Sequence, residues 1–386
     1  MRYRPSVDRL VKLRRSGRTG FVLTALVCVG CSPTYVLRAG WEEARILSAR
    51  RPIRAIVHDT AVTKLTRDKL RLVLDVRDFA EHELGLRAGR SYETFAQLDR
   101  DTLALNVLAA PEFELNWKTW WFPIVGHVPY KGHFNFQAAF SEARKLEAEG
   151  YDVVVQPVSA FSTLGWFPDP IMSTTLRLDS LALVDTIIHE ITHSTFFLTG
   201  QADFNESFAT FVGNRGAIAF FCDAVQDPIT CGRARRRWED TRRFGRFFHS
   251  VLEPLTAVYE SDLSDDEKRR DKRAVFVDAA RRFYDDHELS GRYSGRRLDA
   301  DMLNNAWMIS RLLYYTRLDE FERVYQSQEN IFKTLQVLIQ DAASLGDPWE
   351  ALDRLGRTEN RSVSLLRVPG PPVTSYWMRC SMTDVI

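Results

Sequence analysis

The residues best placed to do chemistry are His189-Glu190-Ile191-Thr192-His193, an H-E-x-x-H motif inside a strongly helical run. Two histidines four residues apart stand one above the other on a helix face, so both imidazoles can reach one ion. Glu190 lies about 100° round from His189, where it can serve as base toward a metal-bound water without being a ligand. Val184, Ile187, Ile188, Ile191 and Thr195 recur at helical spacing and predict one buried face. His189, His193 and Thr186 share the adjoining face, as on a helix that lines a cleft.

A catalytic zinc ion needs three protein ligands and an open position. Phe204-Asn205-Glu206-Ser207-Phe208-Ala209 follows the motif after a Thr199-Gly200 stop signal. Glu206 then falls on the first turn of a second helix, within reach of the same ion. The competing reading is a capping box with Asp203 as N-cap and Glu206 at the third helical position. A His2Glu set is a known catalytic arrangement, so His189, His193 and Glu206 are expected to hold one Zn2+ per chain. Asn205 is a candidate for supporting a ligand or touching substrate.

With these residues in place, H-E-x-x-H followed at this distance by N-E is similar to the gluzincin peptidases. More narrowly, the chain resembles a bacterial family of predicted aminopeptidases, many of them lipoproteins. The resemblance runs over nearly all of the mature chain. It includes Phe79-Ala80-Glu81-His82-Glu83-Leu84-Gly85-Leu86, Val128-Pro129-Tyr130-Lys131-Gly132, Ser162-Thr163-Leu164-Gly165-Trp166-Phe167 and Leu303-Asn304-Asn305-Ala306. The chain departs from the family pattern in lacking cysteines near Trp121 and His127, and in carrying Ile191-Thr192 where Leu-Ala is commoner. The resemblance implies an α+β, zincin-like fold, with a small mixed sheet, the metal helix packed below it and a mainly helical C-terminal part. It also implies a tyrosine hydroxyl that donates to the tetrahedral oxyanion, and Tyr314 best matches that position. An edge strand over Gly126–His133 would pair with the substrate backbone, which makes Tyr130 a substrate-binding candidate. Gly165 is a second candidate for the cleft wall. His127 and His133 lie six apart on no helix and are expected to be structural or subsite residues.

Composition sets the frame. The chain has 386 residues, 45% of them hydrophobic, enough for a full core. Net charge is +1, of which the first 30 residues supply +6, so the remainder carries −5. A mildly acidic body gives no reason to expect nucleic acid. The basic N-terminus, the apolar run Phe21 to Val29 and Cys28-Val29-Gly30-Cys31 read as residues 1–30 forming a signal peptide with a lipobox, and Cys31 as the lipidated first mature residue. An uncleaved signal anchor is the alternative. The expected location is the bacterial envelope, on the periplasmic side of the outer membrane. In that oxidising setting Cys222 and Cys231 could pair or stay as thiols.

Helices are expected over 41–50, 63–83 and 136–150, and strands over 103–110, 123–130 and 152–158. Residues 31–216 are read as the catalytic part and 217–386 as a helical part completing the cleft. The charged run 263–286 reads as a solvated helix with its acids at the N-terminal end. The functional expectation is a zinc peptidase acting on a peptide substrate, by resemblance an aminopeptidase. An endopeptidase of envelope proteins is one alternative. A non-catalytic binding lipoprotein with a structural zinc is another, against which the intact Glu190 speaks, since a structural site needs no base. Glu112, Glu114 and Asp169 are the acids considered for a substrate amine.

Overall fold

The computed structural model describes residues 41–42, 44–122, 126–158, 168–292, 298–328 and 330–357. Residues 1–30, read as a signal peptide from the sequence, together with Cys31, Cys380 and the Ser162–Trp166 segment with Gly165, lie outside the described residues.

The central sheet is built on β3 (Ala104–Pro111), which lies between β6 (Lys131–His133) and β7 (Tyr151–Val158) and is antiparallel to both. Helix α2 (Phe136–Ala148) connects those outer strands, giving a strand–helix–strand unit split by β3. Strand periodicity of two decides what each face meets. Leu105, Val107 and Ala109 pack on Ala139, Ala143 and Leu146 of α2. Ala110 turns the other way, into a cluster with Phe244, Phe248, Ala306 and Ile309 of the helical part.

The mixed sheet expected from the resemblance is a smaller one. In it β2 (Thr94–Ala96) pairs antiparallel with β1 (Arg51–Pro52) and parallel with β8 (Ile171–Met172). Of the strand expected over 123–130, residues 123–125 lie outside the described residues and 126–128 are strand. β5 (Gly126–Val128) forms a hairpin with β4 (Trp120–Phe122), and the chain breaks at Pro129 before β6 starts. Proline has no N–H to carry a ladder through.

Helix α1 (Lys64–His82) is capped by Thr63, whose side chain accepts from the Thr66 N–H, and buries Leu70, Val73, Val76 and Phe79 at helical spacing. It packs on α3 (Ser180–Thr195), the helix of the H-E-x-x-H motif. Asp179 caps α3 by accepting from the Ala182 N–H at 2.9 Å. Val184, Ile187, Ile188 and Ile191 are buried as the periodicity predicted.

Helix α4 (Ala202–Ala219) crosses α3 closely because of two glycines. A Cβ on Gly213 would stand 2.5 Å from Asp185 Oδ1, and one on Gly216 would stand 2.9 Å from Ile188 Cδ1. Residues 206, 209, 213 and 216 share a face of α4, so the crossing that needs glycine also turns Glu206 toward α3. α4 runs unbroken past residue 216 and ends in a single π turn at Phe220–Ala224.

A disulfide between Cys222 and Cys231 then ties this turn to α5 (Pro228–Tyr259). The rest is helical: α6 (Asp265–Asp285), α7 (Asn305–Tyr315), α8 (Leu318–Gln328), α9 (Ile331–Leu345) and α10 (Pro348–Gly356). The charged helix α6 opens with a Ser264–Glu267 capping box and three acids in its first turn. Among the described residues no helix is long and apolar enough to cross a membrane.

Candidate metal centre

The three proposed ligands converge. His189 Nε2 lies 3.2 Å from His193 Nε2 and 3.3 Å from Glu206 Oε2, and His193 Nε2 lies 3.5 Å from Glu206 Oε2. Zinc bonds of 2.0–2.2 Å at tetrahedral angles put ligand atoms about 3.3–3.5 Å apart. The observed triangle therefore fits a zinc ion closely. It is the only such group of metal-competent side chains among the described residues, and neither His127 nor His133 belongs to it.

Glu206 reaches the site from the second turn of α4, not the first. The N-cap is Gln201 and its side chain makes no capping bond, so the Asp203 capping box does not form. Asn205 is 2% exposed and uses both ends of its amide on Leu198: Oδ1 accepts from the Leu198 N–H at 2.9 Å and Nδ2 donates to the carbonyl at 2.7 Å. It clamps the turn between α3 and α4, one residue before Glu206.

The electrostatics follow from burial and close charges. Burial would lower His189, but the Glu206 hydrogen bond and the charges of Glu190, Glu206 and Asp185 outweigh it and raise it to about 9. Burial would raise Glu206, yet the His193 charge and the histidine hydrogen bonds hold it well below the usual carboxylate range. Glu190 moves up, because its burial exceeds the pull of the two histidines.

Three tyrosines surround these groups. Tyr314 on α7 has its ring 6.2 Å from that of His189. The Glu206 charge, then burial, keep its phenol protonated far above the ordinary range. Tyr130, between β5 and β6, is raised by burial and by Glu206 and Glu190. Tyr92, 5% exposed, is raised by burial, Glu190 and Asp169. All three are therefore proton donors at neutral pH.

Long-range contacts place them. Ser207, beside Glu206, donates to the Leu313 carbonyl (3.1 Å) and accepts from the Thr316 N–H (3.0 Å), pinning the Tyr314 end of α7 to α4. At the other end Asn304 caps α7 and donates to the Val153 carbonyl, while Asn305 donates to the carbonyls of Pro111, Glu112 and Glu114. These contacts give the Asn304-Asn305 pair a structural role.

A small pocket beside Glu190 is lined by Tyr92, Ile171, Met172, Thr175 and Thr186. A cavity of about 870 Å³ among Arg215, Trp238 and Tyr325 includes none of the site residues. Of the acids considered for an amine, Glu112 is engaged by Arg269 of α6 at 2.7 and 3.0 Å, and Glu114 by Asn116. Asp169 is buried next to Tyr92, where its charge reaches the site.

Sequence reasoning missed Tyr92, Asp185 and Gly213. Asp185 had a signal, since it stands one four-residue step before His189. Tyr92 had none: its backbone adopts φ 62°, a left-handed conformation rare for a bulky residue.

Helix-borne histidines and a carboxylate from a neighbouring helix form a group that could hold a metal ion, with a buried glutamate beside it. A family model described as "Putative aminopeptidase" matches residues 34–352, and the chain belongs to that family. At the level of the class this makes it a peptidase. No curated protein and no solved structure matches the chain.

Proposed function

We propose that the protein is a zinc-dependent aminopeptidase, with His189, His193 and Glu206 as ligands. The observation that carries this reading is the ligand triangle with edges of 3.2–3.5 Å beside a buried glutamate that is not part of it. When bound, zinc supplies Lewis-acid polarisation of the scissile carbonyl and acidifies water.

Glu190 takes the proton of the attacking water and returns it to the leaving amine. Its upward shift suits it to both halves of that transfer. Tyr314 and Tyr130 keep their protons and donate to the oxygen on which charge develops. Export and lipid anchoring at Cys31 complete the proposal, with the catalytic body in the bacterial envelope.

The test is metal analysis of the purified protein together with hydrolysis of matched free-amine and N-blocked peptides. One zinc per chain and cleavage of the free-amine series are expected. Cleavage of blocked peptides alone would make it an endopeptidase. Absence of zinc, with no hydrolysis of either series in zinc-supplemented buffer, would overturn the reading.

A further inference from the structure

Asp185 occupies α3 one helical turn before His189, so the two side chains neighbour each other on one face. Its side chain is 13% exposed and receives two donors from different helices. Arg237 of α5 donates to Oδ2 at 3.0 Å, and Asn214 of α4 donates to Oδ1 at 3.3 Å. Asn214 is itself oriented by donating to the Thr210 carbonyl at 3.0 Å. Gly213 packs over this group so closely that a Cβ there would meet Asp185 Oδ1 at 2.5 Å, the Asp185 carbonyl at 2.8 Å and His189 Cβ at 3.3 Å. One small volume thus holds a clamped carboxylate, the stem of a metal-ligand histidine and a glycine that makes room for both.

We infer that Asp185 is a positioning residue for the metal centre: held by Arg237 and Asn214, it sets the place and the electrostatics of His189 from one turn behind. A carboxylate close behind a ligating histidine raises ligand basicity and so tunes metal affinity. The geometry at the second histidine is different. His193 Nδ1 is buried and has no hydrogen-bond partner among the described residues. Because Arg237 belongs to α5, which the Cys222–Cys231 disulfide joins to the end of α4, the helical part takes a direct part in setting the metal site.

This inference rests on His189 being a ligand, and the experiment separates the two. Zn2+ affinity is measured by chelator competition, and Co2+ is loaded for its visible absorption, in the parent, Asp185→Asn, Arg237→Met and the double variant. Metal-free thermal unfolding serves as the fold control. Asp185→Asn is expected to weaken Zn2+ binding by about 10–100-fold, the range for removing such a support, and to shift the Co2+ bands. Arg237→Met, altering a half-exposed side chain, is expected to weaken binding less and to add nothing in the Asp185→Asn background. Parent-like affinity and Co2+ bands in Asp185→Asn would overturn the inference while leaving the metal site standing. Should Asp185→Asn fail to fold, parent-like affinity in Arg237→Met overturns it. A parent protein that takes up neither ion overturns both.

Discussion

The floor and the roof of the site are built in different ways. The floor is the candidate ligand set on α3 and α4, two helices consecutive in sequence that join through a short turn clamped by Asn205. The roof is a group of tyrosines, Tyr92, Tyr130 and Tyr314, drawn from three distant segments. Each arrives by its own route: a left-handed backbone at Tyr92, the break at Pro129 before Tyr130, and the Ser207 and Asn305 anchors of α7 for Tyr314. The floor depends on local helical geometry and one glycine-lined crossing. The roof depends on packing between the sheet-bearing and helical parts. Metal binding should therefore tolerate damage to the roof, while turnover should not.

The sharpest break in that comparison is at the floor. His189→Ala should abolish stoichiometric zinc, read by elemental analysis, and reduce peptide hydrolysis to background. Residual full-rate turnover without metal would remove the floor from the mechanism. Glu190→Gln separates binding from chemistry within the floor. It should keep zinc and fold, yet lose about 10²–10⁴-fold in kcat, the range for a general base.

Tyr314→Phe moves the test to the roof. Loss of one oxyanion donor costs up to about 10²–10³ in kcat, with zinc content unchanged and KM little altered. A parent-like kcat would exclude Tyr314 as donor. Ser207→Ala probes how the roof is fastened, because it removes two hydrogen bonds at the Tyr314 end of α7. It leaves the Thr316 N–H without its partner and should cost about 1–3 kcal/mol of stability in denaturant unfolding. A several-fold fall in kcat with full zinc occupancy is expected alongside. Zinc loss in this variant would show floor and roof to be one unit.

The gentlest probe is pH. Without an ion His189 is raised to about 9, above its ordinary value of 6.5. Its pairing with Glu206 then contributes stability to the metal-free protein that is fully present below pH 6.5 and is lost as pH rises through 9. Zinc must displace that proton, so apparent affinity should rise by about tenfold per pH unit from pH 7 and level off above 9. Calorimetry in buffers of different ionisation heat measures the released proton. A pH-independent affinity between 7 and 9 would contradict the His189–Glu206 pairing.

Legibility in the sequence followed the same division. The motif helix, its buried face and α1 were visible because helix periodicity is a local property. The ends of β3 and β7 were readable to within a residue, since alternation and flanking turns mark them. The C-terminal end of the 123–130 strand was not, because the chain leaves its pairing with β4 at Pro129. The role of Asn205 was left open, as its ring of contacts closes through Leu198 only after the turn folds.

What the sequence determined by itself is the chemistry available on the floor. Two histidines at a four-residue step share a helix face whatever surrounds them, and an N-E pair on the next helix supplies a carboxylate within a short connection. The Cys222–Cys231 pairing, the tyrosine roof and the Asp185–Arg237 clamp were decided by the tertiary structure alone. Each joins residues through the approach of separate elements, above all the crossing permitted at Gly213 and Gly216, and spacing along the chain carries no record of which helix faces come to lie against each other.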